Sequence, residues 1–102
     1  GCSKLSIWPA DACTAVLQTT TVAPPGSKCF DSIVQTATEF KCQDPAQCLT
    51  YAGDSNELAP ALVGKSFVCT NGVWIYDSQF TIADFEVVVS STNLKFSCSY
   101  VC

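Results

Sequence analysis

The sequence contains no histidine and no arginine. Without an imidazole, the Ser–His and Cys–His nucleophile systems are excluded. Lysine is the only basic side chain, and Lys4, Lys28, Lys41, Lys65 and Lys95 are spread singly along the chain. Nine acids outweigh these five lysines and leave a net charge of −4. Nucleic acid and anionic membrane surfaces reward clustered Lys and Arg, so neither is an expected partner. Charge of either sign is scarce, at 14% of residues, where ordinary domains carry about 25%. No apolar run is long enough to insert across a bilayer, no segment repeats, and no long helical pattern is present. None of Asn56, Asn71 and Asn93 opens an Asn-x-Ser/Thr sequence, so N-glycosylation is not expected.

Cysteine, by contrast, is abundant. Eight of the 102 residues are cysteine: Cys2, Cys13, Cys29, Cys42, Cys48, Cys69, Cys98 and Cys102. A structural zinc site wants Cys-x-x-Cys or Cys/His pairs. Neither is present, so disulfides are the expected use of all eight, with no metal and no cofactor. Four bridges at roughly 2–4 kcal/mol each would dominate the stability of so small a fold. They require an oxidising compartment, which predicts a secreted, extracellular protein. The opening Gly1-Cys2 fits a mature product already cut from its leader. Eight cysteines allow on the order of 100 pairings, and the sequence does not choose among them. The length suits one domain over 1–102, with 1–23 as an N-terminal strand arm.

Hydrophobic residues make up 48% of the chain. A domain this small cannot hide that much apolar material in one core, so an exposed sticky surface is expected. Counting cysteine as hydrophobic is the bland alternative explanation for the figure.

Valine, isoleucine, threonine and aromatic residues recur between closely spaced turn residues, the pattern of an all-β chain. Lys4–Trp8 and Ala15–Val22 read as strands separated by Pro9-Ala10-Asp11, and Pro24-Pro25-Gly26 is a stiff break. Thr19-Thr20-Thr21 beside the prolines reads either as an O-glycan site or as one face of the strand. Asp31–Phe40 is expected to be a strand because of Ile33, Val34, Thr36 and Thr38. Cys42–Cys48 reads as a turn with a cysteine at each end, followed by a short strand Cys48–Tyr51 and a polar loop.

The sharpest local signal is Ser66–Tyr76. Asn71-Gly72 is the preferred pair for a type I′ turn, whose two central residues both need positive φ. That turn sets Phe67 opposite Tyr76, Val68 opposite Ile75, Cys69 opposite Trp74 and Thr70 opposite Val73. Further strands are expected at Phe80–Ile82 and Phe85–Val89. In the last segment Leu94, Phe96, Cys98, Tyr100 and Cys102 alternate with polar residues, which predicts a strand with one buried face. Cys98 and Cys102 are then roughly 13 Å apart at strand rise, so each must reach a different partner. Seven or eight short strands point to a small disulfide-stapled β-sandwich of immunoglobulin-like architecture. The Cys–Trp–Cys order of the immunoglobulin family itself is missing.

Carboxylate pairs are the remaining candidates for chemistry. Asp84 and Glu86 fall on one strand face and read as solvated. Asp54-Ser-Asn-Glu57 offers oxygen ligands of the calcium type but lacks the fuller spacing, so a polar turn is expected. An enzyme is not expected.

The segment Phe67-Val-Cys69-Thr-Asn-Gly72-Val-Trp74, closing with Phe96-Ser-Cys98, resembles the cysteine-rich secreted domains expanded in nematodes, among them the six-cysteine domain. The likeness covers Cys29 to Cys102. It implies an extracellular module and carries over no catalytic residue.

Two functions are expected from these features. The first is a structural or adhesive protein that assembles with itself into filaments by strand addition. Its assembly strand would be Ala15, Val16, Leu17, Gln18, Thr19, Thr20, Thr21 and Val22. The second is a secreted binding effector, such as a protease inhibitor, defence protein or toxin-like ligand, acting on another extracellular protein. Its candidate loop is Gly53–Gly64.

Overall fold

A computed structural model describes residues 1–20, 23–56 and 66–102, and the backbone alone at 62–63. The Asn71-Gly72 turn forms as the sequence predicts. Both residues have positive φ, 51° and 79°, and they join β7 (Phe67–Thr70) to β8 (Val73–Tyr76) in the expected register. This hairpin is the centre of one sheet. On its β7 side lie β4 (Glu39–Cys42) and then β3 (Ile33–Gln35), and on its β8 side lies β9 (Phe80–Thr81). Asp31–Phe40 is therefore not one strand. Thr36 breaks it, because its hydroxyl accepts the Thr38 and Glu39 N–H groups and turns the chain.

The other sheet is built around β10 (Lys95–Ser99). Along one edge β10 pairs antiparallel with β5 (Cys48–Ala52), beyond which lies β6 (Leu62–Val63). Along the other it pairs first with β1 (Ser6–Ile7), in parallel, and then with β2 (Cys29–Phe30). Phe40, Phe67 and Trp74 of the first sheet share one core with Leu49, Tyr51 and Phe96 of the second.

Two segments expected as strands are helices, so the body is mostly β rather than all β. Ala10–Thr19 forms α1. Alanines at 10, 12 and 15 favour helix, and a helical turn brings Cys13 and Leu17 onto one face, where both are buried. Ile82–Val89 forms α2. Its three valines prefer strand, but the Thr81 backbone N–H donates to the Asp84 carboxylate at 2.8 Å. That contact caps the first turn, and Ile82, Phe85 and Val89 all pack onto the core.

The last strand departs from expectation in its burial. Phe96 and Cys98 face the shared core, yet Ser97 and Ser99 on the opposite side are also buried. That second face is covered by α1, whose Cys13 and Leu17 pack with Trp8, Cys29 and Ala52. The strand ends at Ser99, so Tyr100, expected on the buried side, is exposed.

All eight cysteines pair, as Cys2–Cys69, Cys13–Cys29, Cys42–Cys98 and Cys48–Cys102. Cys98 and Cys102 do reach different partners, and these are the two cysteines flanking the Cys42–Cys48 turn. Cys42–Cys98 links the two sheets. Cys13–Cys29 fixes α1 to β2, and Cys2–Cys69 ties the N-terminal segment to β7.

Candidate binding surfaces

The expected assembly strand is not a strand. Ala15, Val16, Leu17, Gln18 and Thr19 belong to α1, and Thr20 is its C-cap. Thr21 and Val22 lie outside the described residues. The segment is spoken for within its own chain: Leu17 is 1% exposed, and the Cys13 bridge anchors the helix. β-Branched content at 16 and 19–22 favoured extension locally. Burial of an apolar helical stripe overrides that preference as far as Thr19.

The carboxylate candidates are likewise absorbed locally. Asp84 caps α2, and Glu86 lies on the same helix rather than on a strand. Asp54 accepts hydrogen bonds from Ser91 Oγ at 2.9 Å and from Asn93 Nδ2 at 3.0 Å, which joins the segment after β5 to the one before β10. Glu57 and much of Gly53–Gly64 lie outside the described residues. Among the described residues, no three His, Cys, Asp or Glu side chains gather as metal ligands. No described helix is long and apolar enough to cross a membrane.

Two surfaces stand out. The first is the outer face of the hairpin sheet. Phe40, Phe67, Trp74 and Tyr76 point to the core, so period two sends Val34, Glu39, Lys41, Val68, Thr70, Val73, Ile75 and Thr81 outward. Val68 and Val73 are 44% and 45% exposed and lie diagonally across the hairpin, with the half-buried Ile75 opposite Val68. Glu39 and Lys41 form an ion pair at 3.6 Å on this face.

The second is a groove of about 550 Å³ near the end of β10, with Lys28, Phe30, Tyr100 and Val101 in its lining. The rings of Phe30 and Tyr100 meet edge to face at 5.4 Å. The Lys28 ammonium sits 5.1 Å from the Phe30 ring centre, a cation–π contact. Tyr100 donates its hydroxyl to Asp44 Oδ2 at 2.5 Å. That bond, with a second from the Ala46 N–H, holds the Asp44 carboxyl below its ordinary range. The same bond pushes the Tyr100 phenol up.

No protein-family model, curated protein or solved structure matches this chain.

The sequence foretold an exposed apolar surface and the pairings of the hairpin within it. It did not foretell the groove. Phe30 and Tyr100 are far apart in sequence, and strand alternation assigned Tyr100 to the interior. The available signal was position, since Phe30 follows Cys29 and Tyr100 lies two residues from both Cys98 and Cys102.

Proposed function

We propose that this chain is an extracellular, non-enzymatic structural or adhesive protein that associates with copies of itself through the outer face of the hairpin sheet. The observation that carries this reading is the exposed pair Val68 and Val73 on an open sheet face. A second copy suits that face because Glu39 and Lys41 are adjacent on it, so a two-fold related copy can offer each charge its opposite. Strand exchange through residues 15–22 has no part in this, because α1 occupies Ala15–Thr19. Four disulfides support an oxidising, secreted setting. The immunoglobulin-like sandwich belongs to the same proposal, supported by one core drawn from both sheets. So does kinship with the nematode six-cysteine domains, supported by the Cys69–Trp74 hairpin.

The face spans about four inter-strand gaps by four residues, roughly 19 by 13 Å. That is well short of the ~800 Å² per partner of a stable complex. Association is therefore weak and is sought at high concentration. Sedimentation equilibrium up to millimolar protein should show mass rising with concentration, and Val68→Lys combined with Val73→Lys should hold the chain monomeric. A wild-type monomer throughout that range contradicts the proposal. A two-fold contact closes as a dimer, so filaments in electron microscopy of the native material would require a second, non-closing contact.

The groove beside Tyr100 favours the second reading, a secreted binding effector. Its disulfide-fixed walls lower the ordering cost of binding.

A further inference from the structure

We propose that the groove beside Phe30 and Tyr100 binds a small organic anion carried on an aromatic ring. The inference rests on the effector reading, and its failure would leave self-association through the hairpin sheet untouched. Its volume of about 550 Å³ falls within the range of small-molecule sites. Phe30 and Tyr100 stand at 78° to each other, so they form a corner in which a third ring completes an aromatic cluster. Pro24 and Val101 add apolar wall.

Charge chooses the anion. Lys28 forms no ion pair with any described residue, which leaves an unneutralised cation at the groove in a chain of net charge −4. Asp44, the acid that touches the groove wall, is already occupied by the Tyr100 hydroxyl and the Ala46 N–H. Those bonds keep it a carboxylate, but it does not line the groove, where Lys28 carries the only charged side chain among the lining residues.

The corner is also held in place before a ligand arrives. Phe30 follows Cys29, which is bridged to Cys13. Tyr100 lies between Cys98 and Cys102, which are bridged to Cys42 and Cys48. Binding then costs little ordering of the walls.

The test is an NMR titration of the intact, oxidised chain with phenylacetate, its neutral amide phenylacetamide, and the cation phenethylamine. Phenylacetate should give saturable shifts at the backbone amides of Lys28, Phe30, Tyr100 and Val101, with a dissociation constant in the millimolar range expected of so small a ligand. Phenylacetamide should bind about fivefold more weakly, the worth of one solvent-exposed charge pair, and phenethylamine more weakly still. Lys28→Gln should bring phenylacetate down to the level of the amide and leave the rest of the spectrum unchanged. Tyr100→Leu should weaken all three probes. Equal affinity for anion and amide, shifts outside the groove, or no saturation overturns the proposal. Groove shifts that follow protein concentration without any probe also overturn it, because they assign the groove to a second copy.

Discussion

Phe67 is fully buried among the rings of Phe40, Tyr76, Phe85 and Phe96, at centroid separations between 5.3 and 6.3 Å. Truncating it removes transfer energy and leaves a cavity, so Phe67→Ala should cost about 3–5 kcal/mol in urea unfolding of the oxidised chain. Ser97 presents the opposite case. Its hydroxyl is buried without a hydrogen-bond partner among the described residues, and such a group opposes folding. Ser97→Ala should leave stability unchanged or raise it, and a loss beyond about 1 kcal/mol would show that the hydroxyl is satisfied after all. The Asp44–Tyr100 bond gives a pH signature. Asp44 has a folded pKa below its ordinary 3.8, so its contribution to stability is present above that value and fades as pH falls through the folded pKa. Tyr100 has a folded pKa above its ordinary 10.0, so its contribution is present below 10 and fades as pH rises through the folded value. In Tyr100→Phe, an NMR titration of the Asp44 carboxyl should find its pKa returned toward 3.8. An unchanged value would mean that the hydroxyl bond does not hold it.

At the scale of elements, sequence reading succeeded where one local rule decides the outcome. The Asn71-Gly72 turn fixes its own register because positive φ at both central positions admits few alternatives. Reading failed where tertiary burial decides. The segment Ala10–Thr19 gains more from seating Cys13 and Leu17 against the second face of β10 than it loses from its β-branched residues. In α2 the cue was present but local propensity masked it: Thr81 and Asp84 have capping spacing, followed by a run of valines. Asp84→Ala should remove the bond to the Thr81 N–H and lower stability by roughly 0.5–1 kcal/mol. Hydrogen exchange in the first turn of α2 should rise with it. If exchange there stays at the wild-type rate, burial of Phe85 alone holds the helix. The groove was hidden for a further reason, since it exists only because β10 stops at Ser99 and frees Tyr100.

Across the whole molecule, the bridges join parts that the sheet ladders do not. The two sheets meet through side chains, and Cys42–Cys98 is the covalent link between them. The Cys2–Cys69, Cys42–Cys98 and Cys48–Cys102 bridges close sequence separations of 67, 56 and 54 residues, and Cys13–Cys29 closes 16. Long closures restrict the unfolded chain most, by about 4 kcal/mol each against about 3 for the short one. Both binding surfaces depend on this framework, because the bridges hold the hairpin sheet against its partner and fix the corner around Tyr100. The most direct test is mass-spectrometric mapping of proteolytic fragments from unreduced protein. Peptides joined as Cys2–Cys69, Cys13–Cys29, Cys42–Cys98 and Cys48–Cys102 are expected. Any other pairing, or a free thiol among the eight, would contradict this framework.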